Sequence, residues 1–206
     1  MKYIYDSVLE GDSEAVVSGV QRALKEGHSP ISIINEALIK AMDEVGAKMK
    51  SGDMFIPEVL ASADAMKEGL MIVKPLLEGE SYAHAKVVIG TVAGDLHDIG
   101  KNLVAMLLES SGFEVVDLGV DVATEKFLAA IEEHKPAILG LSALLTTTMT
   151  NMRNTVQEVI NKYPDVIILV GGAPVSQEFA DEIKAHGYAP DAGAAADLAK
   201  RLLNIQ

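Results

Sequence analysis

Lys86-Val87-Val88-Ile89-Gly90-Thr91-Val92-Ala93-Gly94-Asp95-Leu96-His97-Asp98-Ile99-Gly100-Lys101-Asn102 is the stretch that decides the fold. It opens on a largely β-branched run, over 86–92, that is too short for a helix. A glycine-bearing loop with two carboxylates follows, and from Ile99 the apolar residues return at helical spacing to about 111. This strand, loop and helix unit then repeats. Strands are expected over 114–118, 137–141 and 166–170, and helices over 124–134, 149–163 and 176–186. A short fifth strand near Tyr188 and a last helix over 194–203 complete the series. Strands that alternate with helices and are continuously apolar imply a parallel sheet covered on both faces. The expected form is a flavodoxin-like, Rossmann-like five-stranded α/β domain over 86–206. Such sheets bind ligands at the carboxyl ends of the strands, where strand order reverses, so the loops after strands one, three and four are the candidate site.

Upstream the period is helical. Val16, Val20 and Leu24 mark one helix; Ile34, Leu38, Ala41, Met42 and Val45 mark another; Val59, Leu60, Ala63, Met66 and Leu70 mark a third behind Pro57, which suits a first turn. Breaks fall at Gly11-Asp12, where Asp12 can cap the next helix, at Gly27-His28-Ser29-Pro30 and at Ser51-Gly52-Asp53. A four-helix bundle over 1–80 is expected, with small and polar residues over 78–85 breaking the pattern and a linker at 81–85.

Composition narrows the chemistry. A net charge of −13 over 206 residues argues against the basic stripe that nucleic acid requires. The absence of cysteine excludes disulfides, thiolate zinc sites, iron–sulfur clusters and cysteine nucleophiles, so a bound metal must rely on His, carboxylates or its own macrocycle. No run approaches the length of a membrane span and no signal-peptide pattern opens the chain, so a cytoplasmic location without membrane attachment is expected.

In the first loop His97 stands between Asp95 and Asp98 at the mouth of the sheet. Imidazole coordinates a metal through one ring nitrogen while the other donates to an acceptor, which either Asp95 or Asp98 could supply. The same loop also suits a plain helix start with Asp98 as N-cap and His97 merely exposed. Strand three ends at Ser142-Ala143-Leu144-Leu145-Thr146-Thr147-Thr148 and strand four at Gly171-Gly172-Ala173-Pro174, so hydroxyls and bare backbone converge near His97. A Gly-Gly pair after a strand is by itself commonly a turn.

Taken together, these loops resemble the cobalamin-binding domains of methionine synthase, the base-off mutases and the methyltransferase corrinoid proteins. The family signature is Asp-x-His-x-x-Gly, Ser-x-Leu and Gly-Gly, matched by Asp95, His97, Gly100, Ser142, Leu144, Gly171 and Gly172, with intervals of 41 residues from Gly100 to Ser142 and 26 from Leu144 to Gly171. The resemblance implies a base-off cobalamin with His97 as lower axial ligand to cobalt and Asp95 as its hydrogen-bond acceptor. It also implies that Gly171 and Gly172 leave room for the nucleotide tail and that Ser142 and Thr146 bond to tail or corrin. Asp98 and Ile99 then flank the cofactor. The family's serine third partner falls at Thr148, which keeps the hydroxyl on a stiffer side chain.

Gly52-Asp53-Met54-Phe55-Ile56-Pro57-Glu58-Val59 resembles the helical cap of methionine synthase and of the methylamine, methanol and methoxyarene corrinoid proteins. Cap positions carried over place Met49, Ile56 and Val59 near the methyl group, although each would also serve as ordinary bundle core. With no room in these residues for a substrate barrel, the resemblance implies a carrier subunit in one-carbon metabolism. Its partners would be a substrate-specific methyltransferase, an acceptor methyltransferase using tetrahydrofolate or coenzyme M, and a reductive activator. The alternatives are a cobalamin-dependent sensor, which would call for a DNA-binding module, and a mutase small subunit, which ordinarily lacks a helical cap. A response-regulator phosphoacceptor needs an aspartate where Ser142 stands, and Gly90, Gly94 and Gly100 lack the nicotinamide-binding spacing.

Overall fold

The computed structural model of the protein describes residues 1–77 and 83–205. Residues 78–82, which include the first two residues of the expected linker, lie outside the described residues. Two compact units form, Met1–Ala83 with Ser110–Gly112 and His84–Glu109 with Phe113–Gln206.

The first unit is helical. Helices α1 (Lys2–Leu9) and α2 (Ser13–Lys25) are followed by α3 (Pro30–Ile33), which runs through a π-helical stretch, Ile34–Ile39, straight into α4 (Lys40–Ser51). Helix α5 (Ile56–Val73) ends in the 3-10 turn Lys74–Leu76. The starts are set by the residues that suit them. Asp12 accepts from the Ala15 N–H at 2.9 Å, Ser29 accepts from the Ser32 N–H at 3.2 Å ahead of Pro30, and the Phe55 N–H donates to Glu58 Oε2 at 2.8 Å. Each such cap is worth about 1 kcal/mol.

With the continuous run of α3, π-turn and α4 taken as one rod, the described residues of this unit form four rods, with Ile4, Val8, Val16, Val20, Leu38, Met42, Val45 and Met66 in the core. Through and around the wider π-turn, Ile33, Ile34, Ala37, Leu38, Ile39, Ala41 and Met42 are all buried, a broader arc than a strict 3.6 period gives. Leu60, expected in the core, is instead 42% exposed. Val59, Ala63, Met66 and Leu70 take the inward stripe of α5, and the residue after Val59 falls about 100° further round the helix. The Tyr5 hydroxyl donates to Glu44, tying α1 to α4. That hydrogen bond, helped by burial, pushes the phenol up to about 12.

The second unit holds a five-stranded parallel sheet in the order β2-β1-β3-β4-β5. Its elements run β1 (Lys86–Thr91), α6 (Ile99–Ser110), β2 (Glu114–Asp117), α7 (Thr124–His134), β3 (Ile138–Ser142), α8 (Met149–Lys162), β4 (Ile167–Gly171), α9 (Gln177–Glu182), β5 (Gly187–Ala189) and α10 (Ala192–Leu202). Val88, Leu139, Leu141, Ile168 and Val170 bury the sheet against Phe127, Ile131, Met152, Val156 and Ile183. The order reverses beside β1, which pairs with β2 on one side and β3 on the other. In register, Thr91 pairs with Ser142, Ser142 with Gly171, and Gly171 with Ala189. The carboxyl ends of β1, β3 and β4 therefore lie side by side.

Two helices differ from expectation. The helix expected over 176–186 stops at Glu182 because Lys184 adopts φ +63°. The Lys184 and Ala185 N–H groups then donate to Asp181 O at 3.1 Å and Ala180 O at 2.9 Å, a Schellman closure in which lysine stands where glycine is usual. The last helix begins at Ala192 rather than 194, since Asp191 caps it by accepting from the Ala194 N–H at 2.7 Å.

Candidate functional site

The loop from Val92 to Asp98 leaves β1 and crosses the carboxyl end of the sheet. Asp95 is fully buried there, while the His97 side chain remains 51% exposed. His97 Nδ1 lies 2.7 Å from Asp95 Oδ1, and the His97 N–H donates to the same oxygen at 3.1 Å. The other oxygen, Oδ2, accepts from the N–H groups of Leu144 at 2.7 Å and Leu145 at 3.2 Å and from the Thr148 hydroxyl at 2.8 Å. Five donors thus converge on one carboxylate. Burial alone would raise the Asp95 carboxyl, but the bonds from the Leu144 N–H, the His97 ring, the His97 N–H and the Thr148 hydroxyl outweigh it and hold the group well below the usual carboxylate range.

An ionised carboxylate can only accept, so Nδ1 carries the hydrogen, and in the neutral ring it is Nε2 that keeps the lone pair. Nε2 has no partner among the described residues. Asp98 does not take part in this pair: its carboxylate accepts from Asn102 Nδ2 at 3.1 Å and its carbonyl from the Asn102 N–H at 2.7 Å. Of the two acceptors the sequence left open, Asp95 is the one that orients the ring.

The signature residues gather at the same end of the sheet. Leu96 and Ile99 are 72% and 87% exposed, and Leu144 and Leu145 are also exposed, an apolar rim beside a solvent-facing imidazole. A Cβ built on Gly100 meets nothing, so packing does not demand a glycine in this first helical turn, where it costs up to about 1 kcal/mol. Ser142 is half-buried at the end of β3 and Thr146 is exposed; neither hydroxyl has a partner among the described residues.

Gly172 has φ +122°, and a Cβ there would stand 1.9 Å from the Ala143 carbonyl oxygen; at Gly171 it would come within 3.1 Å of the Ala189 carbonyl oxygen. Gly172 is therefore required by the close approach of two backbones, a reason that stands apart from any ligand. Among the cap residues, Met49 is half-buried late in α4, Ile56 is exposed at the start of α5 beside exposed Phe55 and Leu60, and Val59 is fully buried.

Five residues escaped the sequence reading. The Thr91 hydroxyl donates to the His97 carbonyl at 2.9 Å, Asp121 Oδ1 accepts from the Gly94 N–H at 2.7 Å, and Asn151 Nδ2 donates to the Ala93 carbonyl at 2.7 Å. Buried Lys101 donates to Asn102 and to Asp117 at the end of β2. The only signal in the sequence was position, since Asp117 and Asp121 flank the carboxyl end of a strand.

A single imidazole with a fixed tautomer supplies one ligand, and among the described residues no three His, Asp or Glu side chains gather as a bare metal site. That donor set suits a metal that brings its own equatorial ligands, and the exposed leucines and isoleucine suit an apolar macrocycle face. Among the described residues, no helix is long and apolar enough to cross a membrane.

Comparison with known proteins agrees with this chemistry. Residues 85–197 match a B12 binding domain family, and residues 2–74 match a second B12 binding domain family. A corrinoid protein of Desulfitobacterium hafniense (strain Y51) is 40% identical over 205 residues, covering 96% of this chain and 94% of its own. Trimethylamine corrinoid protein 2 of Methanosarcina mazei is 38% identical, with 97% of this chain and 94% of its own covered. Among solved structures, the methanol:cobalamin methyltransferase complex MtaBC of Methanosarcina barkeri aligns at TM-score 0.89 and 35% identity, covering 98% of this chain and 78% of that one. A cobalamin-binding protein of Desulfitobacterium hafniense DCB-2 aligns at TM-score 0.81 and 30% identity, covering 96% of each chain. The chain belongs to the cobalamin-binding corrinoid proteins of methyltransferase systems.

Proposed function

We propose that this methyl carrier holds its cobalamin base-off, with His97 Nε2 as the lower axial ligand, and that it serves a substrate:corrinoid methyltransferase on one side and an acceptor methyltransferase on the other. The observation that carries the ligand assignment is the 2.7 Å contact between His97 Nδ1 and the buried carboxylate of Asp95. When bound, the corrinoid supplies a cobalt that receives a methyl group from one enzyme and yields it to another.

The protein's own residues fix how that cobalt is presented. Asp95 holds the Nδ1 proton and so keeps the Nε2 lone pair available, and partners of this kind strengthen an imidazole as a ligand. The Leu144 and Leu145 N–H groups and the Thr148 hydroxyl keep Asp95 ionised and in place. Leu96, Ile99, Leu144 and Leu145 offer apolar area to the macrocycle, and the unpartnered hydroxyls of Ser142 and Thr146 are placed to bond its polar periphery or tail. Asp98 shapes the start of α6. Of the cap residues, Met49 is half-buried and Ile56 exposed, so both are open to the methyl-facing role the resemblance implies, while Val59 is buried.

The relatives named for trimethylamine and the complex named for methanol support a small methyl donor; tetrahydrofolate or coenzyme M as acceptor and a reductive activator as third partner complete the proposal. The test is to load the purified protein with cobalamin and reduce it, then to offer methanol, mono-, di- and trimethylamine, each with its own purified methyltransferase. One pair should methylate the cofactor, read from its absorption spectrum. Failure of every pair would contradict the proposed partner class.

A further inference from the structure

The loop that carries His97 is gripped from two sides by residues that belong to neither the cobalamin signature nor the Asp95 hydrogen-bond set. From α8, Asn151 Nδ2 donates to the Ala93 carbonyl at 2.7 Å. From the loop between β2 and α7, Asp121 Oδ1 accepts from the Gly94 N–H at 2.7 Å, and the Asp121 N–H donates to the Asp95 carbonyl at 2.9 Å. Three successive residues of the loop are thereby fixed through their backbone. Two of the participants sit in the left-handed region, Gly94 at φ +81° and Asp121 at φ +52°. For a non-glycine residue such a conformation is unfavourable and persists only where its surroundings impose it.

We propose that Asp121 and Asn151 are positioning residues, a clasp on 93–95 that sets the aim of His97 and so the strength of its bond to cobalt. The proposal rests on His97 being the axial ligand. Its physical basis is that the ring is half-exposed, so its direction depends on the backbone beneath it. Asp95 steers the ring through Nδ1, yet within the loop the backbone of Asp95 makes only a turn bond, from its N–H to the Val92 carbonyl at 3.2 Å. The Thr91 hydroxyl holds the His97 carbonyl at 2.9 Å, and the clasp adds the hold on 93–95, with one of its bonds charge-assisted. Residues that orient a ligand from behind commonly alter metal affinity by about 10- to 100-fold.

The test uses the full chain loaded with cobalamin. Asp121→Gly removes the carboxylate while tolerating the positive φ, Asn151→Ala removes the other grip, and Asp121→Asn keeps both an acceptor oxygen and tolerance of the left-handed region. Circular dichroism checks that each variant is folded. The readouts are nitrogen coupling in the electron spin resonance of the Co(II) state and the Co(II)/Co(I) midpoint potential. Asp121→Gly and Asn151→Ala should each raise the fraction lacking histidine coupling and move the midpoint to more positive values. The double variant should do both to a greater extent, and Asp121→Asn should stay near wild type. Unchanged coupling and midpoint in the double variant, with coupling lost in His97→Ala, would overturn the clasp and leave the ligand standing. An Asp121→Asn protein as impaired as Asp121→Gly would overturn the acceptor role. Wild type without nitrogen coupling would overturn the ligand assignment and the clasp together.

Discussion

His97 Nδ1 stands 2.7 Å from Asp95 Oδ1, and the second oxygen of the same carboxylate receives two backbone N–H groups and a hydroxyl from the loop after β3. One buried carboxylate therefore joins two of the three signature loops. Removing it alters the imidazole and the packing of the sheet end at once.

The acid dependence of stability should report this carboxylate. Its folded-state value is depressed below the unfolded value of about 3.9, so its contribution is fully present above that value and is lost as pH falls toward the folded one. Urea midpoints measured from neutral pH down to about 3 should fall as acid is added. Asp95→Asn should show a weaker fall, from a lower starting stability. The amide cannot accept from both sides as the carboxylate does, and turning its NH2 toward Leu144 and Leu145 leaves buried donors facing donors, at a cost of about 1–3 kcal/mol. An identical pH profile in the variant would remove Asp95 from the account of acid sensitivity.

Lys101 and Asp117 should respond unequally to mutation. The Lys101 side chain is almost wholly buried, whereas that of Asp117 is 37% exposed. Asp117→Ala leaves a buried ammonium without its counter-charge and should cost about 3–5 kcal/mol, whereas Lys101→Met substitutes an apolar chain of similar length and leaves Asp117 able to rehydrate, at close to no cost. Equilibrium urea unfolding of the two variants measures the difference. Equal losses would mean that the pair acts only as a surface bridge.

Gly172→Ala should be far more damaging than Gly171→Ala. At 172 a Cβ would lie 1.9 Å from the Ala143 carbonyl oxygen and φ is +122°, while at 171 the nearest atom is 3.1 Å away. The strained φ alone costs on the order of 1–3 kcal/mol, and the displaced Ala143 backbone adds to it. Thermal unfolding of the two variants without cofactor isolates this structural role from any effect on the nucleotide tail. A Gly172→Ala protein as stable as wild type would show that the two backbones can part freely.

The order of strands and helices was legible because each strand is a short apolar run bounded by turn residues and each helix keeps its period. The π-turn at Ile34–Ile39 was not, since one extra residue per turn leaves the apolar composition unchanged. Nor was the early end of α9, where Lys184 takes the conformation that a glycine would have announced. At the site, the Asp95, His97 and Thr148 set was implied by the resemblance to the cobalamin-binding domains, while the loop by itself left Asp95 and Asp98 both open as the acceptor. Asp121, Asn151 and Thr91 act on backbone atoms of the His97 loop, and a contact of that kind leaves no pattern between the two stretches of sequence that make it.

The His97–cobalt bond itself is the most direct thing to measure. Protein grown with 15N-labelled histidine and loaded with a corrinoid that lacks the benzimidazole tail should be examined by electron spin resonance in the Co(II) state. Unlabelled protein should show the triplet of one coupled 14N, which labelling should convert to a doublet, and His97→Gln should abolish both. A spectrum without nitrogen coupling, or a coupling that survives His97→Gln, would contradict the account.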